Sequence, residues 1–266
     1  MDGMMGMFDK IRERVRAKGT ADRSSLVRSY QCDVCQDHGV VVTRPDGISV
    51  LAVCECQPPV TPEVVQARLR IPKGLRDATF TSFNPRPSLT EVDQLDLKEL
   101  VLAAKAFSMG KAEERWFTMS GTKGWGKTHL AYAILNGRIF NPEWGRIGRC
   151  ATGPSILAEL RAGYDDGSYE DVMESFQSTP LLILDDLGAE YQKASRDGAA
   201  SWADEQLHRI LDHRYVEEME TVITTNVHDS KLNPRIRDRM MDEGTGLCRV
   251  FDLALPSYRS GKVVTV

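Results

Sequence analysis

Gly121-Thr122-Lys123-Gly124-Trp125-Gly126-Lys127-Thr128 is the stretch on which the reading of this chain turns. Its spacing is G-x-x-x-x-G-K-[ST], the phosphate-binding P-loop. Before it, Trp116 to Ser120 reads as a short buried strand; after it, His129-Leu130-Ala131-Tyr132-Ala133-Ile134-Leu135 opens a helix. Glycines let such a loop curl until backbone N–H groups point inward at a phosphate, and the helix N-terminus adds positive potential. Lys127 is placed for the β- and γ-phosphates and Thr128 for Mg²⁺. The candidate nucleotide-binding residues are therefore the eight of the loop together with His129.

The 266 residues accommodate one α/β domain and a small appendage, with an ordinary 41% apolar content. A net charge of −4 provides no global basic field, so any nucleic-acid contact must come from local patches. No apolar run reaches membrane-spanning length and no signal-peptide core opens the chain; a cytoplasmic protein without a membrane partner is expected. Six cysteines without an export signal point to a reducing compartment, where closely spaced pairs more often hold metal than form disulfides.

Residues 1–30 read as an amphipathic helix with a polar tail. Met4, Phe8, Ile11 and Val15 fall on one face of a 3.6-residue period, with Lys10, Arg12, Arg14, Arg16 and Lys18 around the rest. Two readings stay open: a helix packed on its own protein, and a helix docked on a partner. Residues 31–57 carry Cys32-x-x-Cys35 and Cys54-x-Cys56 around a hairpin signal, with Val40–Thr43 and Ile48–Val53 flanking Pro45-Asp46-Gly47. A hairpin brings both cysteine pairs to its open end, where four thiolates suit a closed, structural Zn²⁺ site. His38 is an alternative fourth ligand. Cys150 and Cys248 lie in strand-like runs and read as core residues.

Pro58, Pro59 and Pro62 mark a linker, so residues 58–84 are read as linker and lead-in and 85–266 as the main domain. A helix capped by Thr90 carries Leu95, Leu100, Ala103, Ala104 and Phe107 at helical spacing. From Trp116 onward strand and helix patterns alternate, which predicts a parallel sheet between helices: an α/β fold. The predicted strands are 116–120, 147–152, 180–185, 221–225 and 248–254.

Leu181-Leu182-Ile183-Leu184-Asp185-Asp186 is an apolar strand ending in two carboxylates, the Walker B pattern. Asp185 is expected to help hold Mg²⁺, and Asp186 stands where a water-polarising base belongs. Asn226 ends the next strand, where an uncharged polar group can orient the attacking water. Arg235 and Arg239 share a helix face at i, i+4, and Arg259 follows the last strand.

GTKGWGKTHLA, LLILDDLG, TTN, PRIRDRM and the terminal SYR, in this order, resemble the DnaC/DnaI-type helicase loaders. These belong to the initiator branch of AAA+ ATPases, to which the IstB-type transposition helpers are also similar. The likeness covers residues 71–260. It implies an AAA+ ATPase that binds ATP with Mg²⁺ and lacks a helical lid. Asn226 would be its sensor 1, Arg239 an arginine finger acting in trans with Arg235 beside it, and Arg259 its sensor 2 arginine. It implies further a homo-oligomer on single-stranded DNA and a replicative DnaB-type helicase gripped by the N-terminal region. Zinc-carrying N-terminal domains occur among DnaI-like loaders, which favours a loader over the alternative, a transposition helper acting on target DNA. Trp125 departs from the small residue usual at its position, and residues 190–196 do not match the family's DNA-contacting segment. DNA contacts are expected from Tyr191, Lys193 and Arg196, with Tyr164 as a stacking partner. A small-molecule kinase is disfavoured by the paired acids and the trans arginine; a non-enzymatic zinc adaptor would show no DNA-stimulated turnover.

Overall fold

The computed structural model describes residues 40–43, 50–53, 62–83, 89–140, 148–188, 202–226 and 232–258. The chain divides into two compact units, Met1–Val60 and Thr61–Val266.

In the smaller unit β1 (Val40–Thr43) and β2 (Val50–Val53) pair antiparallel, Val40 opposite Val53 and Thr43 opposite Val50. This is the antiparallel pairing expected of the hairpin. Its turn, Cys32, Cys35, His38, Cys54, Cys56 and the segment 1–30 lie outside the described residues.

The larger unit begins with α1 (Pro62–Arg68) and a single 3₁₀ turn at Lys73–Leu75. The long helix α2 (Glu91–Ser108) starts where Thr90 accepts a hydrogen bond from the Asp93 N–H, a side-chain cap for an otherwise orphaned donor. Then follow β3 (Trp116–Gly121), α3 (Lys127–Ile139), β4 (Arg149–Thr152), α4 (Gly153–Asp166), α5 (Tyr169–Ser178) and β5 (Leu181–Leu187). The chain continues with α6 (Trp202–Val216), β6 (Glu220–Thr225), α7 (Pro234–Met240) and β7 (Cys248–Leu253). The five strands β3 to β7 form one parallel sheet in the order β4-β5-β6-β3-β7. Among the described residues no helix follows β7, and no helix is long and apolar enough to cross a membrane.

Alternation along the strands feeds two cores. Phe117, Met119, Ile183 and Val222 join Leu100, Phe107, Leu130 and Ile134 from α2 and α3. Trp116, Leu182, Leu184 and Ile223 join Leu160, Phe176, Leu211 and Ile236 from α4 to α7. Burial on both faces explains the continuous apolar run Leu181–Leu184 of β5. Arg214, wholly buried on α6, donates to the carbonyls of Phe176, Gln177 and Thr179 at the end of α5 and to Glu220 O and Thr221 Oγ1. One side chain thus ties α5, α6 and β6 together.

One expectation changes. Leu95 is 65% exposed; the buried stripe of α2 is Leu97, Leu100, Ala104 and Phe107, because only that face meets α3. The larger compact unit takes in the lead-in from Thr61 onward. The reason is Asn136, fully buried on α3, whose amide must find partners away from water. It donates to Leu75 O (3.0 Å) and Ala78 O (2.9 Å) and accepts from Gln66 of α1 (2.9 Å). The lead-in is thereby clasped onto the P-loop helix.

Candidate functional site: a phosphate loop facing two acids

The loop Gly121–Thr128 connects β3 to α3 at the carboxyl edge of the sheet. At Gly121 φ is +105°, and a Cβ there would lie 2.0 Å from Leu253 O; at Gly126 φ is +116°, and a Cβ would lie 2.5 Å from the Phe83 ring. Both positions therefore need glycine for conformation and for room. The segment after β7 straps the loop from one side. Thr122 Oγ1 donates to Leu255 O (2.6 Å) and Tyr258 N to Gly124 O (2.7 Å). Phe83 closes the other side, its ring 5.6 Å from that of His129 and 6.2 Å from that of Tyr258.

Lys127 Nζ donates to Gly121 O (3.0 Å) and Thr122 O (2.5 Å), 5.0 Å from the centre of the Trp125 ring. Burial pushes the Lys127 ammonium down to about 8, against the pull of Asp186 and Asp185. Trp125 itself is buried in the core around α2 and α3, so the bulky loop residue serves as packing. His129 turns to the lead-in, where its Nε2 lies 2.9 Å from Thr79 O and 3.3 Å from Ser82 Oγ.

The strand order seats β5 beside β6 and β6 beside β3, which brings both acids to the loop. Asp185 Oδ1 accepts from Thr128 Oγ1 (2.9 Å) and Thr224 Oγ1 (2.6 Å). Burial raises the Asp185 carboxyl above the usual carboxylate range, opposed by those two hydroxyls. At Asp186 the β5–β6 register shifts and φ becomes +54°, an uncommon conformation outside glycine. The irregularity re-aims the second acid: its N–H donates to Thr224 Oγ1 (2.8 Å), and its Oδ1 accepts from Asn226 Nδ2 (2.5 Å). Thr224, bridging both acids, escaped the sequence reading; the threonine pair in TTN was its only signal. Thr128 and Asp185 present oxygen alone, the donor type that suits a hard divalent cation such as Mg²⁺.

Of the arginines, Arg239 projects from α7 toward Asp212 of α6, Arg235 is exposed, and Arg259 lies outside the described residues. Tyr164 is 57% exposed at the end of α4 and stacks on Tyr169 with ring centres 4.3 Å apart. Tyr191, Lys193 and Arg196 lie outside the described residues.

A glycine loop closing a parallel strand, a buried lysine within it and a carboxylate hydrogen-bonded to the loop threonine define a P-loop nucleotide-binding protein. More narrowly, the chain belongs to the IstB-like ATP-binding proteins, a family that matches residues 65–260. It is 29% identical over 113 residues to the replicative helicase loader DnaI of Bacillus subtilis (42% of this chain, 33% of DnaI). It is 25% identical over 149 residues to the replicative helicase loader DnaC of Escherichia coli (54% and 56%). It is 26% identical over 202 residues to Rv3427c, an ATP-binding protein in an insertion sequence of Mycobacterium tuberculosis (73% and 73%). The matches thus span 33% to 56% of the length of the two helicase loaders. The crystal structure of the DnaC helicase loader superposes with a TM-score of 0.53 at 22% identity, covering 67% of this chain and 98% of that one. That likeness is one of fold: a parallel sheet between helices with the phosphate loop at its carboxyl edge.

Proposed function

We propose that the protein hydrolyses ATP to place a replicative, DnaB-type helicase on single-stranded DNA. In this reading Lys127 binds the β- and γ-phosphates in the cradle of Gly121 to Gly126, while Thr128 and Asp185 hold Mg²⁺. The cation would neutralise charge developing on the transferred phosphoryl group. Asp186 accepts the proton of the attacking water, and Asn226 fixes the carboxylate that does so. Arg239, with Arg235 beside it, reaches the γ-phosphate of the adjacent subunit, and Arg259 serves the nucleotide of its own. The hydrogen bonds joining Thr128, Asp185, Thr224, Asp186 and Asn226 support the catalytic half of this assignment.

The loader role rests on one observation: the ATPase unit is preceded by two cysteine pairs flanking a hairpin. Zinc held by Cys32, Cys35, Cys54 and Cys56 would stabilise that small module, which with residues 1–30 forms the helicase-gripping region. DNA would run past Tyr191, Lys193 and Arg196 to Tyr164. Supporting the last contact, Trp202 lies 6.2 Å from the Tyr164 ring with the Arg161 guanidinium 4.7 Å above it. An aromatic shelf with a cation suits sequence-tolerant stacking of bases.

The second reading, a transposition helper acting on target DNA, is favoured by the longer match to Rv3427c. ATP turnover measured with single-stranded and with duplex DNA separates the two. Stimulation by single strands and not by duplex is expected; stimulation by duplex alone would transfer the assignment to the transposition helper. Replacing Tyr164, Tyr191, Lys193 and Arg196 together should abolish the stimulation at moderate salt, and undiminished stimulation would place the DNA path elsewhere.

A further inference from the structure

Arg239 makes contacts within its own chain that the scheme above leaves without a role. Its Nε and Nη2 both donate to Asp212 Oδ1, at 3.1 and 2.8 Å. Its guanidinium lies over the Tyr215 ring, with Cζ 4.7 Å from the ring centre. Asp212 and Tyr215 are three residues apart on α6 and so share a face. Tyr215 is fixed in turn: its hydroxyl bonds Asp242, and the Trp116 ring meets it edge-on at 5.9 Å and 80°. The backbone of Arg239 is held as well, since Cys248 Sγ donates to its carbonyl at 3.1 Å.

One edge and one face of the guanidinium are thus engaged by its own chain, and among the described residues the Nη1 end is the part left for a partner. Both side chains stay partly exposed, 38% for Arg239 and 39% for Asp212. An ion pair this open contributes little to folding stability. It does restrict a side chain that otherwise loses much rotamer freedom when it docks. The contact uses a single carboxylate oxygen, so a phosphate can be added at the Nη1 end without breaking it.

We propose that Asp212 is a positioning residue for Arg239: together with Tyr215 it presets the guanidinium so that its Nη1 end meets the γ-phosphate held by the next subunit. This rests on the reading of Arg239 as a finger acting in trans. Preset geometry acts on the chemical step more than on nucleotide binding, because the subunit that carries Asp212 does not use it for its own ATP.

The test is steady-state ATP hydrolysis by the full chain, at protein concentrations that drive assembly, for Asp212→Ala, Asp212→Asn, Arg239→Ala and the Asp212→Ala/Arg239→Ala double variant. Asp212→Ala should lower kcat about tenfold while KM for ATP moves less than about twofold. Asp212→Asn, which keeps an oxygen acceptor at the same place, should recover most of the rate. The double variant should be no slower than Arg239→Ala alone, since Asp212 acts only through the arginine. Unchanged turnover in Asp212→Ala beside a defective Arg239→Ala would overturn the positioning role alone. Faster turnover in both Asp212 variants would make the pair an autoinhibitory latch and overturn it too, as would a double-variant defect equal to the product of the single ones. Wild-type turnover in Arg239→Ala would remove the finger reading, and the positioning role with it.

Discussion

Asn226 Nδ2 donates to Asp186 Oδ1 across 2.5 Å, joining the end of β6 to the irregular end of β5. The second acid of the strand is therefore held by a neutral donor, as a base that must stay aimed at a water requires. Asn226→Ala should leave ATP affinity within about twofold of wild type and lower kcat about a hundredfold, within the range general-base catalysis supplies. Single-turnover hydrolysis with a parallel binding titration checks this. A rate within threefold of wild type would show that Asp186 needs no such partner.

Lys127 should make ATP binding depend on pH. The folded side chain titrates near 8, its ordinary value being 10.5, with burial as the main cause. A bound triphosphate favours the ammonium and raises that value, so affinity should be level below pH 8 and weaken above it by up to about tenfold per pH unit. Folding has the opposite sign: between 8 and 10.5 the unfolded state binds more protons, so unliganded protein gains stability from this group as pH rises. Affinity loss without denaturation is the distinguishing result. Lys127→Ala should bind ATP too weakly to titrate; affinity that stays flat through pH 8 and beyond, or a Lys127→Ala protein that binds normally, would put the phosphates elsewhere.

The purified protein should contain about one zinc per chain, and the Cys54→Ser/Cys56→Ser variant about none. The ATPase unit has cores of its own, so its thermal transition and nucleotide binding should survive the loss. Metal analysis decides: undiminished zinc in the variant would mean that the ligands are other residues.

What the sequence revealed and what it hid follow from how local each signal is. The P-loop was legible because its glycines answer to backbone geometry within eight residues, and β5 because burial on both faces leaves a continuous apolar run. Thr224 was illegible as a site residue. In a strand threonine reads as a β-branched packer, and its role as the bridge between Asp185 and the Asp186 N–H exists only because β5 and β6 are neighbours. His129 was expected at the nucleotide because it adjoins the motif; its bond to Thr79 O depends on a lead-in that loops back onto α3. Asp212 and Arg239 are likewise brought together by the packing of α6 against α7, across a separation of 27 residues.

The claim on which the assembly rests is that Arg239 serves the neighbouring subunit's ATP, and mixing two inactive variants measures it most directly. Arg239→Ala keeps a sound P-loop and lacks a finger; Lys127→Ala keeps a sound finger and cannot hold ATP. Each alone should be nearly inactive, and Arg239→Ala should still bind ATP with close to normal affinity. Combined on single-stranded DNA, a junction between the two holds one complete site, so turnover should rise above the sum of the separate rates and peak at an intermediate ratio. Two folded variants that show no complementation at any ratio would contradict a finger acting between subunits.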